Sequence, residues 1–271
     1  MNVKVSDGAA IDAINYCKKL DTRIEGYDFF EFGTPVEERQ RLDAERLKEY
    51  VVNQTPYDQI LEENTYFAVN SGEKIEKSQQ MYLRTKFSNT VRDVHVTYIW
   101  GKEGAGKTTY YERVLGYEPK DVYSISEYDT DFRKGMFDEY NAHDILIFDE
   151  FDSSIPITKL NTWFDGRPGT LFARGKSKTA TFTKVFIISN YPIDHHWKKE
   201  RNDPENSKEP SYRGFLRRVR EIIYMPEQNV YEWQKGRPTD ETIATLESQG
   251  AKIKMLLQEI EQTTLDTTEV F

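Results

Sequence analysis

The sequence predicts an α/β fold for the middle of this 271-residue chain, with a smaller helical unit ahead of it. Three observations carry that prediction. Strand-like and helix-like patterns alternate between residues 94 and 190. The run Asp144-Ile-Leu-Ile-Phe-Asp149 is continuously apolar between its acidic ends, as a strand buried on both faces requires. Gly101-Lys-Glu-Gly-Ala-Gly-Lys-Thr108 lies between an alternating apolar run, Val94–Trp100, and a helical pattern over Lys107–Leu115 that stops at Gly116. Strand, glycine-rich loop and helix in that order are the setting of a phosphate-binding loop.

The remaining elements follow from spacing and punctuation. Residues 8–20 have helical periodicity, with Ile11, Ile14, Tyr16 and Cys17 among polar neighbours. Residues 36–90 are polar and helix-rich: Glu37–Asn53, Tyr57–Asn70 and Lys74–Phe87 are separated by Thr55-Pro56 and Ser71-Gly72. Strands are expected at 94–100, 121–125, 144–148, 170–174 and 181–189. Residues 191–212 are charged and hold Pro192, Pro204 and Pro210, so they read as loop, and Arg213–Ile223 returns to helix or strand. At the C-terminal end Ile243, Leu246, Gly250, Ile253, Leu257 and Ile260 recur every three or four residues. That pattern fits a short heptad seam or a surface helix packed on its own domain.

Composition sets limits. At 37% hydrophobic residues the chain can build one good core and a smaller unit. No apolar run approaches 18 residues, and the N-terminus lacks a signal-peptide pattern. Cys17 is the single cysteine, so no internal disulfide can form and a reducing compartment is expected. The net charge is −9, but it is unevenly spread: residues 171–220 hold 12 Lys and Arg against 5 Asp and Glu, and residues 221–271 hold 4 against 10. A basic stretch on an acidic body suits a polyanion site, and it also suits an ordinary mixed surface.

The spacing G-x-x-x-x-G-K-[ST] over 101–108 is that of a loop whose backbone N–H groups cradle the phosphates of a nucleoside triphosphate. Gly101, Lys102, Glu103, Gly104, Ala105, Gly106, Lys107, Thr108 and Thr109 are the candidate nucleotide-binding residues. Lys107 can reach the β- and γ-phosphates, and the Thr108 hydroxyl can take a magnesium position. Hydrolysis also needs a second magnesium anchor and a group that polarises water. Asp149 and Glu150, at the end of the buried strand, are assigned those two roles in that order. With Asp152 nearby, a turn-forming acidic cluster is the other reading. Asn190 ends a second buried strand, Val185-Phe-Ile-Ile-Ser189. Its amide can donate to a phosphate and accept from a water at once, although Asn190-Tyr191-Pro192 is also a good turn.

Between these strands, short runs on either side of Gly175 suggest a β-hairpin with Arg174, Lys176 and Lys178 at its tip, placed to grip a nucleic-acid backbone or simply solvated. Arg213, Arg217, Arg218 and Arg220 crowd one stretch. Arg217 or Arg218 could act in trans at a neighbour's phosphate, or the four could form a solvated basic face. The histidines show no metal-site spacing; His95 reads as core, and His195-His196 as loop surface.

Taken together, Gly101–Thr108, Ile145–Glu150, the hairpin, Ile187–Asn190 and Phe215-Leu-Arg-Arg-Val219 resemble the superfamily 3 helicases. The resemblance implies a P-loop NTPase fold of the AAA+ type that uses ATP and Mg2+, with Walker A, Walker B, hairpin, sensor asparagine and arginine finger in that order. More narrowly, Phe137-Asp-Glu-Tyr140, Asp144–Phe151, Phe172-Ala-Arg174 and Phe182–Asn190 are similar to the replication initiator (Rep) proteins of small rolling-circle plasmids and circular single-stranded DNA viruses, and closer to the plasmid branch. Tyr16-Cys-Lys-Lys19 followed by Phe29-Phe-Glu-Phe-Gly33 resembles the third motif of the Rep endonuclease, whose tyrosine attacks DNA. That nuclease also needs a metal held by an H-x-H motif. This sequence has none, so Tyr16 is expected to cleave no DNA, and the chain either begins inside the nuclease domain or has lost it.

The family implies a nuclease remnant over 1–33, a helical collar for oligomerisation over 34–90 and the ATPase domain over 91–225, and charge and spacing add an acidic helical tail over 226–271. It further implies a six-membered ring with single-stranded DNA running past the hairpins; the lack of an apolar run near 18 residues is what points to no membrane partner. A plasmid-type protein would work in the bacterial cytoplasm, a eukaryotic-virus type in the host nucleus. Two rivals share the motor motifs: an RNA helicase of a small RNA virus, against which the Tyr16-x-x-Lys19 segment argues, and a nucleotide-dependent DNA-binding assembly without unwinding. A small-metabolite kinase would need a lid and pocket that the sequence does not display.

Overall fold

A computed structural model describes residues 14–15, 18, 36–118, 121–128, 135–174 and 176–256. Tyr16 and nearly all of the 1–33 segment lie outside the described residues. The chain divides into two compact units, Met1–Tyr82 and Leu83–Phe271. No helix among the described residues is long and apolar enough to cross a membrane.

The first unit is helical over its described residues. It contains α1 (Val36–Val52), α2 (Tyr57–Glu63) and most of α3 (Thr65–Phe87). Pro56 starts α2, as expected. The break between α2 and α3 falls at Asn64, whose side-chain oxygen accepts from the Phe67 N–H at 3.2 Å and so caps the new helix. The expected break at Ser71-Gly72 is absent. Gly72 serves packing instead: a Cβ there would come within 2.8 Å of the Tyr57 ring. Tyr50, Ile60, Phe67, Ala68 and Ile75 form the core. Buried Gln79 ties α3 to the end of α1 by donating to the carbonyls of Tyr50 (3.0 Å) and Thr55 (2.9 Å).

The second unit is a mixed α/β structure around a mostly parallel seven-stranded sheet. Its strands are β1 (His95–Gly101), β2 (Val122–Ile125), β3 (Ile145–Phe148), β6 (Lys184–Ser189), β7 (Val219–Met225), β8 (Val230–Lys235) and β9 (Lys252–Met255). They lie in the order β2-β3-β6-β1-β7-β8-β9, and only the β7–β8 pair is antiparallel. The apolar runs are long because both faces are covered. Along β3, Leu146 and Phe148 enter one core while Ile145 and Ile147 enter the other, and β1 and β6 alternate likewise. One face carries α5 (Ile157–Phe164) and α7 (Glu209–Arg218), which place Leu160, Trp163, Phe164 and Phe215 on it. The other carries α8 (Asp240–Ser248) and α4, a helical stretch that is α over Lys107–Thr109 and π over Tyr110–Val114.

Two expectations need correction. Residues 191–212 are not all loop: a 3-10 turn at Ile193–His195, the short helix α6 (Lys198–Arg201) and the start of α7 interrupt them. The 226–271 segment is not a helical tail with a heptad seam over its described part. β8 and β9 extend the main sheet, with α8 as the crossover between them. Gly250, at φ +71°, stops α8, and Lys252-Ile-Lys-Met255 then alternates as an edge strand. Trp233, 1% exposed, shows how fully β8 belongs to the core.

Candidate functional site

The candidate site lies where β1, β3 and β6 end. Parallel strands bring their C-terminal ends to one edge, so residues far apart in sequence meet there. After β1 the chain turns through Gly104 (φ +75°) and Gly106 (φ +87°), backbone that other residues adopt only at a cost. Gly101 is required for a different reason: a Cβ would meet the Met225 carbonyl at 2.1 Å. The loop then enters α4 at Lys107, and the Thr109 hydroxyl donates back to the Gly106 carbonyl at 2.7 Å. Thr108 is exposed.

Lys107 is only 8% exposed and its ammonium is held by three oxygens. It donates to the carbonyls of Gly101 and Lys102, each at 2.9 Å, and to Asn190 Oδ1 at 2.8 Å. Asn190 in turn donates from Nδ2 to Glu150 Oε2 at 3.2 Å. An ammonium only donates and a carboxylate only accepts, so this chain fixes the amide orientation. Burial lowers the Lys107 pKa, and the negative charges of Glu150, Asp149 and Glu103 pull the other way. Lys107, Asn190 and Glu150, spaced 83 and 40 residues apart, therefore form one connected unit.

Glu150 reaches it through an irregular backbone. The Asp149 N–H still bonds to Ile125 O at 2.8 Å, and the Phe151 N–H bonds to Ile188 O at 2.8 Å. Between them Glu150 adopts φ +52°, which costs a non-glycine residue about 1–2 kcal/mol and turns its side chain outward. Asp149 Oδ1 accepts from the Glu150 N–H at 3.0 Å, and the Tyr128 hydroxyl donates to the Asp149 carbonyl. A hydroxyl at Thr108 and a carboxylate at Asp149 are the hard oxygen donors that Mg2+ takes alongside substrate phosphates. Among the described residues no cluster of three or more His, Cys, Asp or Glu could hold a metal by itself.

Behind this edge lies a buried polar chain that sequence reading missed. His196 is 1% exposed, not on the loop surface as expected; only His195 is exposed. Tyr98 Oη lies 2.7 Å from the Tyr191 carbonyl and 2.6 Å from His196 Nε2, and Ser153 Oγ lies 2.6 Å from His196 Nδ1. A carbonyl can only accept, so Tyr98 gives it its proton. His196 Nε2–H then donates to Tyr98, and Nδ1 accepts the Ser153 hydroxyl proton. The chain ties the segment after Glu150 to the segment after Asn190. Desolvation, reinforced by His195, pushes the His196 pKa down to about 4, so the ring is neutral. His95 is also not core: it is half-exposed at the start of β1 and paired with Glu221 at 2.6 Å.

The basic candidates fall elsewhere. β4 (Thr170–Ala173) and β5 (Lys176–Thr179) form the expected hairpin. Arg174 sits at its exposed turn, with Nε 2.5 Å from Asp138 Oδ2. Lys178 is not at the tip: the register sets it opposite Leu171, on the face turned to the core, and it is 2% exposed. The side chain of Lys176 is outside the described residues. Arg217 and Arg218 end α7, just before β7 begins, and therefore lie at the N-terminal edge of the sheet. That is roughly 20 Å from the glycine loop at a rise of about 3.3 Å per strand residue. Arg218 pairs with Asp165 at 2.5 Å. Arg217 is exposed and has no partner among the described residues.

The chain matches no family model and no curated protein. Among solved structures it is similar to Hsp104 of S. cerevisiae. Against the Hsp104–ADP complex the identity is 16% and the TM-score 0.33, over 80% of this chain and 40% of that one. Against the extended Hsp104–casein complex the identity is 15% and the TM-score 0.33, over 65% and 35%. The chain thus spans less than half the length of either, and a likeness at this level defines neither a family nor an activity.

Proposed function

We propose that this protein is the ATP-hydrolysing motor of a replication initiator of the Rep type, a superfamily 3 DNA helicase that moves along single-stranded DNA as a ring. The observation that carries the reading is the connected set Lys107–Asn190–Glu150 at the mouth of a glycine loop. In this reading the backbone N–H groups of residues 104–107 hold the phosphates, and Lys107 exchanges a carbonyl or amide partner for phosphate oxygen. Asn190 contacts the terminal phosphate and Glu150 at once, so phosphate occupancy is coupled to the position of the carboxylate. Glu150 polarises the attacking water. Thr108 and Asp149 would hold Mg2+, which supplies charge neutralisation on the phosphates.

The arginine of such a motor has to come from elsewhere. Arg217 stands at the far edge of its own sheet, too distant for the glycine loop of the same chain, and is thereby suited to a neighbouring copy. In the helical unit, Tyr66 and Val69 expose apolar surface on α3, which suits the contact between copies that a ring requires. Arg174, at the hairpin turn, is the candidate contact to a DNA backbone.

The test is Glu150→Gln. ATP binding by the variant should stay within a few-fold of the parent chain while hydrolysis falls by about 10²–10⁴. The parent chain should separate a forked DNA duplex only with ATP, and a forked RNA duplex poorly or not at all. Hydrolysis that survives the substitution removes the site assignment. Hydrolysis without strand separation removes the helicase and leaves a nucleotide-dependent assembly.

A further inference from the structure

Glu150 reaches the site on left-handed backbone, and something has to keep it there. The chain is anchored on both sides: the Asp149 N–H bonds to Ile125 O and the Phe151 N–H to Ile188 O, each at 2.8 Å. The peptide between Asp149 and Glu150 lies between those anchors. Turning that one peptide would return Glu150 from φ +52° to the negative range that side chains prefer, with both anchors intact. It would also re-aim the carboxylate, and a displacement of about 1 Å at a reacting group costs up to ~10²-fold in rate. We infer that Tyr128 prevents this turn: it is a positioning residue whose hydroxyl holds the Asp149 carbonyl, and through that peptide keeps the Glu150 carboxylate against Asn190. The inference rests on the proposed assignment of Glu150 to the attacking water.

Two groups hold the peptide. At its N–H end, Asp149 Oδ1 accepts from the Glu150 N–H at 3.0 Å. That oxygen belongs to the residue whose own peptide it holds, and it can rotate away about its side-chain bonds, so it is no external stop. At its carbonyl end, Tyr128 holds Asp149 O from a segment 21 residues away. The same hydroxyl lies 3.2 Å from the Ile125 carbonyl. A hydroxyl has one proton to give. The Asp149 carbonyl is the nearer, and Ile125 O already accepts from the Asp149 N–H, so the proton goes to Asp149.

The ring that carries this hydroxyl is fixed without it. It stacks on Phe148, with centroids 6.5 Å apart and planes 20° apart, and meets Phe151 edge-on at 5.8 Å. Phe148 and Phe151 are themselves 0% and 1% exposed. Tyr128 is therefore seated on the two residues that bracket the Asp149–Glu150 pair, and a side chain locked by packing is what can hold a working group in place. Burial pushes the Tyr128 pKa up, and the charges of Asp149, Asp152 and Glu150 push it the same way, so the hydroxyl keeps its proton and remains a donor. Phenylalanine at this position keeps the ring contacts and removes only the tie.

The experiment compares Tyr128→Phe, Glu150→Gln and the double variant with the parent chain, reading kcat and KM for ATP hydrolysis and, separately, ATP binding by calorimetry. Tyr128→Phe should lower kcat about five- to tenfold, the worth of one neutral hydrogen bond, and leave KM and ATP binding within about twofold. In the Glu150→Gln chain the same substitution should change hydrolysis by less than about twofold, because the carboxylate it positions is already gone. A parent-like kcat in Tyr128→Phe overturns the inference. An equal loss in both backgrounds does so too, since Tyr128 would then act on something other than Glu150, as does ATP binding that weakens as much as kcat falls. In each of these cases a Glu150→Gln chain that binds ATP and hydrolyses it poorly keeps the site assignment standing. If Glu150→Gln hydrolyses ATP as the parent chain does, the site assignment fails and this inference with it.

Discussion

The two edges of the central sheet are built from similar residues and used in opposite ways. At the N-terminal edge charges are matched. His95 pairs with Glu221, Arg220 with Asp93, Arg218 with Asp165 and Lys184 with Asp144. Arg92, 6% exposed, has no carboxylate but donates to the carbonyls of Phe182 (2.6 Å) and Trp163 (3.5 Å) and lies over the Phe182 ring. At the C-terminal edge the backbone is strained at Glu150, Ser153 and Asn229, and polar groups are chained toward solvent through Lys107, Asn190 and Glu150. Ala142, ahead of β3 at the matched edge, is strained as well (φ +57°), so what separates the edges is the pairing of charges, and in the proposed function the chained edge is the one that meets the nucleotide. Saturated pairs mark the edge that holds the strands. Arg217 breaks the pattern, since it is a cation on the matched edge without a partner among the described residues.

That exception gives the largest expected effect. If Arg217 serves the phosphate site of a neighbouring copy, Arg217→Ala should lower ATP hydrolysis by about 10³ or more, with nucleotide binding retained. Mixing the variant with a Lys107→Ala chain should restore part of the activity, because each supplies what the other lacks at a shared interface. Arg218→Ala should instead lower the melting temperature by leaving Asp165 with the exposed Arg167 as its remaining partner, with a much smaller change in hydrolysis per folded chain. Steady-state ATPase assays and thermal melts on both variants separate the roles. A hydrolysis loss that follows Arg218 and spares Arg217 would reverse the assignment and remove the exception.

The same contrast explains what was legible in the sequence. The glycine loop, the acidic end of β3 and Asn190 at the end of β6 could be read because each is a short local signature attached to a strand. The sheet edge that joins them follows from topology. His196 could not be read. It sits in a charged, proline-rich stretch, and its partners Tyr98 and Ser153 are 98 and 43 residues away, so nothing local distinguishes it from a surface histidine. Lys178 was misplaced because pairing register, not composition, decides which face of a hairpin turns inward. In the C-terminal β8-α8-β9 unit, a spacing of three and four running through Gly250 from Ile243 hides the end of α8 and the short strand β9 behind it, and β8 lies ahead of that pattern.

His196 gives the next effect. Its depressed pKa means that the folded chain leaves the ring neutral where the unfolded chain would protonate it. Between pH 6.5 and about 4 the unfolded state therefore binds the extra proton, and stability declines as pH falls through that window. The full difference is about 3 kcal/mol, reached below pH 4. Denaturant melts across this range should show the decline in the parent chain and a shallower one in His196→Gln. Equal slopes would mean that the Ser153–His196–Tyr98 chain is not maintained as described. Hydrolysis should also fall in His196→Gln more than folding stability accounts for, because the chain positions the segments that carry Glu150 and Asn190.

The smallest effect belongs to the matched edge itself. Asp93 and Arg220 face each other in solvent, with side chains 79% and 45% exposed. An exposed pair contributes little, since water screens the attraction and two long side chains lose freedom in making it. Asp93→Asn should therefore cost well under ~1 kcal/mol and leave hydrolysis unchanged. Glu221 is a different case at the same edge. It is 16% exposed, pairs with His95 at 2.6 Å and accepts from Trp233 Nε1 at 3.0 Å, so it ties β1, β7 and β8 together. Glu221→Gln should cost more than Asp93→Asn in urea melts, about 1–2 kcal/mol, because a partly buried network loses its charge and one of the two oxygens that accept from His95 and Trp233. The two substitutions rank the matched edge by burial. Should Asp93→Asn depress hydrolysis, that edge would be taking part in the chemistry through more than Arg217, and the division between a holding edge and a working edge would have to be redrawn.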